Sequence, residues 1–166
     1  MKHQLAWAWA ALFLATVGYF FLTLGSLHDH LAVHFDASGN PNGFQSKSGY
    51  LGSFPSFVIL MNGLFAAGYF FIDRIPAQLI HLPWKEYWFS KPELKTRFFG
   101  KFQTVFGLIG IFINFTFLFT VQVIYQANAP APAFTLPLNA GVFVILALAV
   151  FLAAMTLVTL RPPAEG

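Results

Sequence analysis

Cysteine is absent from the sequence. The chain therefore forms no disulfide, thiolate metal site, thioether-linked haem or lipidated cysteine. Charge is scarce as well, because Asp, Glu, Lys and Arg make up only 9% of the residues, against about 25% in typical soluble domains. The net charge of +3 is small, so no nucleic-acid partner is expected.

The apolar residues, 57% of the chain, are gathered in four runs of about 20, the length of a helix that crosses a bilayer. The runs predict an all-α membrane protein with four transmembrane helices in a single membrane domain, residues 1–166. The predicted spans cover 5–24, 51–72, 102–125 and 140–160. No ionisable residue lies well inside a run, which argues against a pump or an ion-coupled transporter.

The basic residues predict the orientation. Six of the nine Lys and Arg residues stand between the second and third runs. By the positive-inside rule this segment, Lys2 and Arg161 face the cytoplasm. The first loop carries a single basic residue, Lys47. We therefore expect both termini inside (N-in/C-in) and an outward-facing loop between the first and second helices.

The segment between the second and third spans has an amphipathic, aromatic-rich middle. Residues 81–89 combine a proline with Trp, Tyr and Phe, a composition suited to the cytoplasmic membrane interface. Ser90 and Glu93 fit a capping box, and Pro92 fits the first turn of a helix. A helix should begin near Lys91 and run unbroken into the third span.

Several residues of the first two spans carry structural expectations. Trp7 and Trp9 are expected near the headgroups as interfacial aromatics. Pro55 should lie in the first turns of the second span, where a missing backbone donor costs least. Gly63 and Ala67 form a small-xxx-small pair that predicts a close helix contact.

Asn62 and Asn114 are the strongest polar groups within the spans, and each lies mid-span in its run. A carboxamide that faces lipid is costly. Each side chain should therefore turn inward, where the two can bond to each other and join the helices. The alternative interpretation is contact with a ligand inside the bundle.

The first loop begins with alternating residues, from 27 to 36. In an extended strand, one face would carry His28, His30, His34 and Asp36. The opposite face would carry Leu27, Leu31, Val33 and Phe35. Imidazole and carboxylate suit zinc, copper or iron, so the polar residues are candidate metal ligands. The alternative is an outward-facing polar surface that happens to use histidine.

The stretch DASGNPNGF that follows reads as a tight turn, since Asn-Pro and Asn-Gly are turn dipeptides. Gly39 and Gly43 would permit positive φ there. The loop is thus predicted to be a short strand plus a turn, ending at Lys47. The sequence contains no catalytic triad, phosphate-binding glycine loop or nucleophile elbow. We therefore expect no enzyme activity, and no cofactor is predicted.

Two motifs resemble those of a known family, AVHFDASGNPNGFQSK in the first loop and LPWKEYWF in the second. The family is a bacterial integral-membrane domain of unknown function, found alone in small proteins and at the N-terminus of SdpI-type toxin-immunity proteins. The loop motif matches at Val33, His34, Phe35, Gly39, Pro41, Gly43, Phe44, Ser46 and Lys47. The cytoplasmic motif matches at Leu82, Pro83, Lys85, Tyr87 and Trp88. The resemblance covers residues 5–128.

The resemblance implies a multi-pass protein of the bacterial cytoplasmic (inner) membrane. His28 and His30 stand outside the family pattern, so it favours His34 as the residue with a shared role. The further helices of the immunity proteins have no counterpart here, which argues against both toxin immunity and repressor capture.

Three functions follow in order of preference. The first is a non-catalytic binding, sensing or immunity-like role through the outward loop. The second is a structural or accessory subunit of a larger membrane complex, and the third is metal binding by the loop histidines. The expected partners are the lipid bilayer and either a membrane protein or further copies of the chain.

Overall fold

The computed structural model describes residues 2–36, 38–81, 84–130 and 138–162. The five α-helices of these ranges are α1 (Lys2–Leu24), α2 (Lys47–Phe71), α3 (Lys85–Phe89), α4 (Pro92–Asn128) and α5 (Leu138–Leu160). Two strands, β1 (His30–Phe35) and β2 (Pro41–Ser46), lie between α1 and α2. Two short 3-10 helices, Ile72–Arg74 and Ala77–Leu79, follow α2.

Three helical stretches, 4–24, 47–74 and 92–128, are long and apolar enough to cross a membrane. Within α5, the described residues contain a shorter apolar helix, Ile145–Leu160. The chain is thus a mostly helical membrane protein with one small two-stranded sheet. The prediction of a single short strand in the first loop was incomplete, because β2 pairs with β1.

The central element is α4, which packs against α1, α2, α3, α5 and β1. It begins at Pro92 and runs unbroken for 37 residues, as predicted, since proline is tolerated at a first helical position. The predicted capping box was wrong. Among the described residues no side chain caps this terminus, and the hydroxyl of Ser90 donates instead to the carbonyl of Tyr87, at 2.8 Å.

The second long helix begins earlier than predicted, at Lys47. Its N-cap is Ser46, whose hydroxyl accepts a hydrogen bond from the Gly49 amide at 3.0 Å, the usual capping arrangement. Polar residues therefore supply the first turn of α2, before the apolar run. As a result Pro55 lies in the third turn rather than the first turns.

The close contact between α1 and α4 depends on Gly110, a glycine within the third apolar run. A Cβ at Gly110 would overlap the indole of Trp9. Trp9 is only 6% exposed, so its ring packs against α4 inside the protein, whereas Trp7 is 76% exposed. The predicted small-residue contact does not form within the described part of the chain, because there Gly63 has no neighbour within 4 Å of an added Cβ and Ala67 is exposed.

Two apolar clusters lie at opposite ends of α4. The cluster beside the hairpin comprises Phe20, Leu27, Leu31, Tyr50, Val121 and Ile124. The other comprises Ile72, Ile80, Trp88, Phe98 and Phe99. Trp88 is almost fully buried, so the aromatic segment between α2 and α4 packs this tryptophan into the protein.

Candidate binding site

The loop between α1 and α2 is an antiparallel β-hairpin. His30 pairs with Ser46, Ala32 with Phe44, and His34 with Gly43. The register shifts on either side of the last pair, which leaves one extra residue in each strand. Such bulges increase the local twist and change the direction of side chains. The two bulges therefore increase the twist of the hairpin and redirect the side chains beside the His34–Gly43 pair.

Asp36 organises the tip of the hairpin. Its Oδ1 accepts hydrogen bonds from the backbone amides of Ser38 at 2.8 Å and Asn40 at 2.9 Å. The amide of Asn40, more than any other group, lowers the pKa of the Asp36 carboxyl below its usual value, because it bonds the charged form. Gly39 adopts φ 85° in the same turn, the left-handed conformation that glycine adopts without steric cost.

Gly43 has a different role from the one predicted. It lies within β2, and Gly39 is the single glycine with positive φ in the described part of the chain. A Cβ at position 43 would stand 2.9 Å from the Cβ of His34 and 3.1 Å from its ring. Glycine is needed here because the His34 side chain lies directly over its cross-strand partner. This contact links two residues of the loop motif.

The apolar side of the hairpin packs onto the helices. Leu31 is completely buried, and Val33 and Phe35 contact the same cluster from β1. His28, His30, His34 and Asp36 are all exposed. The burial pattern thus follows the alternation predicted for this segment, except that Ala32 is also buried.

Asn128, the last residue of α4, fixes β1 to the bundle. Its carboxamide accepts a hydrogen bond from the Ala32 amide at 2.8 Å and donates one to the Ala32 carbonyl at 2.9 Å. It also donates to the Ile124 carbonyl of its own helix at 2.7 Å. The side chain therefore pairs with β1 as a neighbouring strand would. Asparagine is ordinary at a helix end, so nothing in the sequence indicated this contact.

Lys47 holds the base of the hairpin against the end of α1. Its ammonium donates to the carbonyl of Leu27 at 2.9 Å and to that of Gly25 at 3.4 Å. A cation near a helix C-terminus also interacts favourably with the helix dipole. The conformation of the hairpin is thus fixed at its base, on its apolar side and at its tip.

The outer surface of the hairpin carries an exposed aromatic pair. The ring of His30 stacks on Phe44 with centroids 5.2 Å apart and an interplanar angle of 7°. Phe44 nevertheless remains 57% exposed. Aromatic side chains, phenylalanine among them, are enriched at protein–protein interfaces.

The metal-ligand candidates do not form one set of ligands. Among the described residues no group of three or more His, Cys, Asp or Glu comes together in a way that could hold a metal ion. His30 stacks on Phe44, His34 lies over Gly43, and Asp36 bonds the turn amides. Each of these three side chains therefore makes a separate contact within the hairpin.

A groove of about 550 Å³ runs beside the hairpin, between β1, α4 and α5. Residues that line it include His34 and Asp36 from the hairpin, Phe119 and Thr120 from α4, and Phe143 from α5. Its lining is mainly apolar with a few polar groups, the usual character of a small-molecule or peptide site. The groove extends the candidate surface from the hairpin towards the helices.

Asn62 and Asn114 turn inward and bond to each other, as predicted. Asn114 Nδ2 donates to Asn62 Oδ1 at 2.7 Å, and Asn62 Nδ2 donates to Asn114 Oδ1 at 3.2 Å. The indole N–H of Trp9 also donates to Asn62 Oδ1, at 2.6 Å. These hydrogen bonds join α1, α2 and α4 within the bundle. They favour a structural role for the two asparagines over contact with a ligand.

The second motif, LPWKEYWF, lies at the other end of the bundle. Lys85, Tyr87 and Trp88 belong to α3, and the indole N–H of Trp88 donates to the Leu160 carbonyl at 2.7 Å. Pro83 lies outside the described residues. The two motifs are therefore separated by the length of α4 and do not form a common site.

Residues 11–59 match the family model of a domain of unknown function, DUF1648. The matched range includes most of α1, the whole hairpin and the first half of α2. It is shorter than the family-like region of residues 5–128 expected from the motifs, and it contains neither Asn128 nor the LPWKEYWF motif. No curated protein and no solved structure matches the chain.

Proposed function

We propose that this chain is a non-catalytic binding protein of the bacterial inner membrane, whose hairpin recognises a polypeptide outside the cytoplasm in a sensing or immunity-like role. The observation that carries the proposal is the exposed ring of Phe44 on a hairpin that is fixed to the bundle. A rigid element loses little conformational entropy on binding, which favours affinity.

The topology underlying the proposal is four spans with both termini inside. Two observations support it. The ends of α2 and α5 and the start of α4 meet in one apolar cluster, so the basic residues around them lie at a single end of the bundle. The hairpin lies at the other end, and Lys47 at its base is the single Lys or Arg of residues 25–73.

The absence of native cysteine makes the topology directly testable. A single cysteine placed at Asn42 in the hairpin should react with a membrane-impermeant maleimide in intact cells. A cysteine at Lys95 should react only after the membrane is opened. Equal labelling of both positions in intact cells would contradict the proposed orientation.

A polypeptide is the ligand class that the hairpin fits best. The sheet of the described residues has only two strands, so β2 has an edge to which an extended peptide can add by backbone hydrogen bonds. The stacked pair of Phe44 and His30 offers an aromatic anchor beside that edge. Strand addition supplies affinity, and the anchor supplies selectivity for the side chains of the peptide.

The test uses the whole protein in lipid nanodiscs. Displayed random peptides are selected on the wild type, and their affinities are measured on Phe44→Ala. We expect a loss of at least about tenfold, typical of an aromatic hot spot. Leu79→Ala is the matched control, because this residue is 68% exposed and lies outside the hairpin. Peptides that bind Phe44→Ala as tightly as the wild type would refute the proposal.

The alternative function is that of an accessory subunit of a larger membrane complex. Large apolar side chains are exposed along α5, including Phe143 at 71%, and either lipid or a protein neighbour would cover them. Under this alternative, gentle detergent extraction from native membranes yields a partner at fixed stoichiometry, and Phe44→Ala leaves that complex intact. Loss of the partner in Phe44→Ala would instead support recognition by the hairpin.

Metal binding is the third possibility. It requires the exposed histidines to gather around an ion, since the described residues hold no group of three candidate ligands. Purified protein should then contain near-stoichiometric zinc, copper or iron, and His34→Ala should remove it. Metal content that is unchanged in His34→Ala would contradict this possibility without affecting the peptide proposal.

A further inference from the structure

A second surface feature lies far from the hairpin. A cavity of about 310 Å³ opens where α3, the first turns of α4 and the end of α5 meet. Three of the residues lining it are basic: Arg97, Lys101 and Arg161. The described residues that line it include no Asp or Glu. The cavity therefore gathers positive charge without a neutralising carboxylate in its lining.

The walls of the cavity are held by specific contacts. The ammonium of Lys101 donates to the Thr159 carbonyl at 2.7 Å and lies 5.1 Å from the ring centroid of Trp88. The indole N–H of Trp88 donates to the Leu160 carbonyl at 2.7 Å. These bonds satisfy carbonyls at the end of α5 that have no partner within the helix. They also fix Lys101 at the cavity, where an ammonium has three donors to offer.

We infer that this cavity binds the phosphate headgroup of an anionic glycerophospholipid. Guanidinium groups bond phosphate oxygens in a bidentate manner, and Arg97 and Arg161 are both exposed. Basic cavities between transmembrane helices commonly bind anionic headgroups. The inference is independent of the hairpin and of any ligand it binds.

The apolar part of the cavity distinguishes a lipid from a soluble phosphate compound. Leu94 and Val158 line it together with the basic residues. Val158 is 71% exposed, and Leu157 beside it is 60% exposed, so the cavity continues into the apolar surface of α5. An acyl chain can follow this surface while its phosphate stays with the arginines. A soluble phosphate compound would leave this apolar surface of α5 uncovered.

The experiment measures lipid binding to the detergent-purified protein by native mass spectrometry. Phosphatidylglycerol is titrated against phosphatidylcholine of the same chain length. The double variant Arg97→Gln/Arg161→Gln should bind phosphatidylglycerol about 25-fold more weakly, since a basic residue near an anionic lipid surface contributes about fivefold. The variant R97K/R161K keeps the charge but loses the bidentate geometry of the guanidinium groups. It should lose less affinity than the glutamine variant, which separates loss of charge from loss of folding.

The matched control is Arg74→Gln/Lys91→Gln, which removes the same charge from residues outside the cavity lining. It should reduce binding less than about threefold, because diffuse surface charge is screened by salt. Equal losses in the two double variants would overturn the inference. So would equal affinity of the wild type for the two lipids. Displacement of phosphatidylglycerol by millimolar glycerol phosphate would overturn it in favour of a soluble ligand.

Discussion

The paired carboxamides of Asn62 and Asn114 are expected to couple α2 energetically to α4. The two side chains exchange two hydrogen bonds, at 2.7 and 3.2 Å. Side-chain hydrogen bonds between transmembrane helices average about 0.6 kcal/mol each. Two of them predict a coupling free energy of about 1.2 kcal/mol, about an eightfold change in the unfolding equilibrium constant.

The appropriate measurement is a double-mutant cycle with Asn62→Ala, Asn114→Ala and the double variant, unfolded reversibly in mixed micelles. The cycle is needed because Asn62→Ala also removes the acceptor of the Trp9 indole, and this cost cancels in the coupling term. Asn114→Ala leaves the backbone carbonyl of residue 114 in place, so its bond from Thr16 is preserved.

Thr116 supplies the control for this cycle. Thr116 lies on α4, the helix of Asn114, and its hydroxyl donates to the Phe112 carbonyl of the same helix at 3.0 Å. A cycle between Asn62→Ala and Thr116→Ala should therefore give a coupling near zero. If the Asn62–Asn114 coupling does not exceed this control, the carboxamide pair does not join α2 to α4.

Three further substitutions test single contacts. Gly110→Ala should destabilise the protein by about 1–3 kcal/mol through overpacking. Gly63→Ala is the control, because the described residues place no neighbour within 4 Å of its added Cβ, and it should leave stability unchanged. Equal thermal unfolding temperatures for the two variants would contradict the α1–α4 contact. Gly43→Ala should speed amide exchange in β1 and β2, because its Cβ meets that of His34, and unchanged exchange would argue against the close approach. Tyr50→Phe should leave the free energy of unfolding unchanged or raise it by up to about 1 kcal/mol, because the buried hydroxyl has no hydrogen-bond partner among the described residues. A clearly lower free energy of unfolding in a denaturant titration would show that the hydroxyl does have a partner.

Features that depend on one segment of the chain were predictable from the sequence. Pro92 indicated the start of α4 because the restriction that proline imposes on a helix is local. The alternation around His30 and His34 indicated which residues of β1 face outward, because strand geometry has a period of two. The pairing of Asn62 with Asn114 followed from the cost of leaving a carboxamide in lipid. In each case one physical rule was sufficient.

Features that depend on two segments were not predictable in this way. Trp9 suits a membrane interface by composition, and only the glycine opposite it on α4 makes a buried position possible. Gly43 reads as a turn residue, and its position in β2 becomes understandable only beside His34. Asn128 reads as an ordinary helix end, although it bonds the backbone of β1. A single sequence does not contain the spatial pairing that gives these residues their roles.

The length of α4 explains how the two ends of the molecule are connected. Its 37 residues extend about 55 Å at 1.5 Å per residue, whereas a span of the hydrocarbon core needs only about 20 residues. The additional turns at the start of α4 carry Arg97 and Lys101, which line the basic cavity. The last residue of α4 is Asn128, which accepts a hydrogen bond from β1. One continuous helix therefore supports both candidate sites. Because a helix is stiff along its axis, the orientation of the hairpin is tied to the same element that holds the basic end.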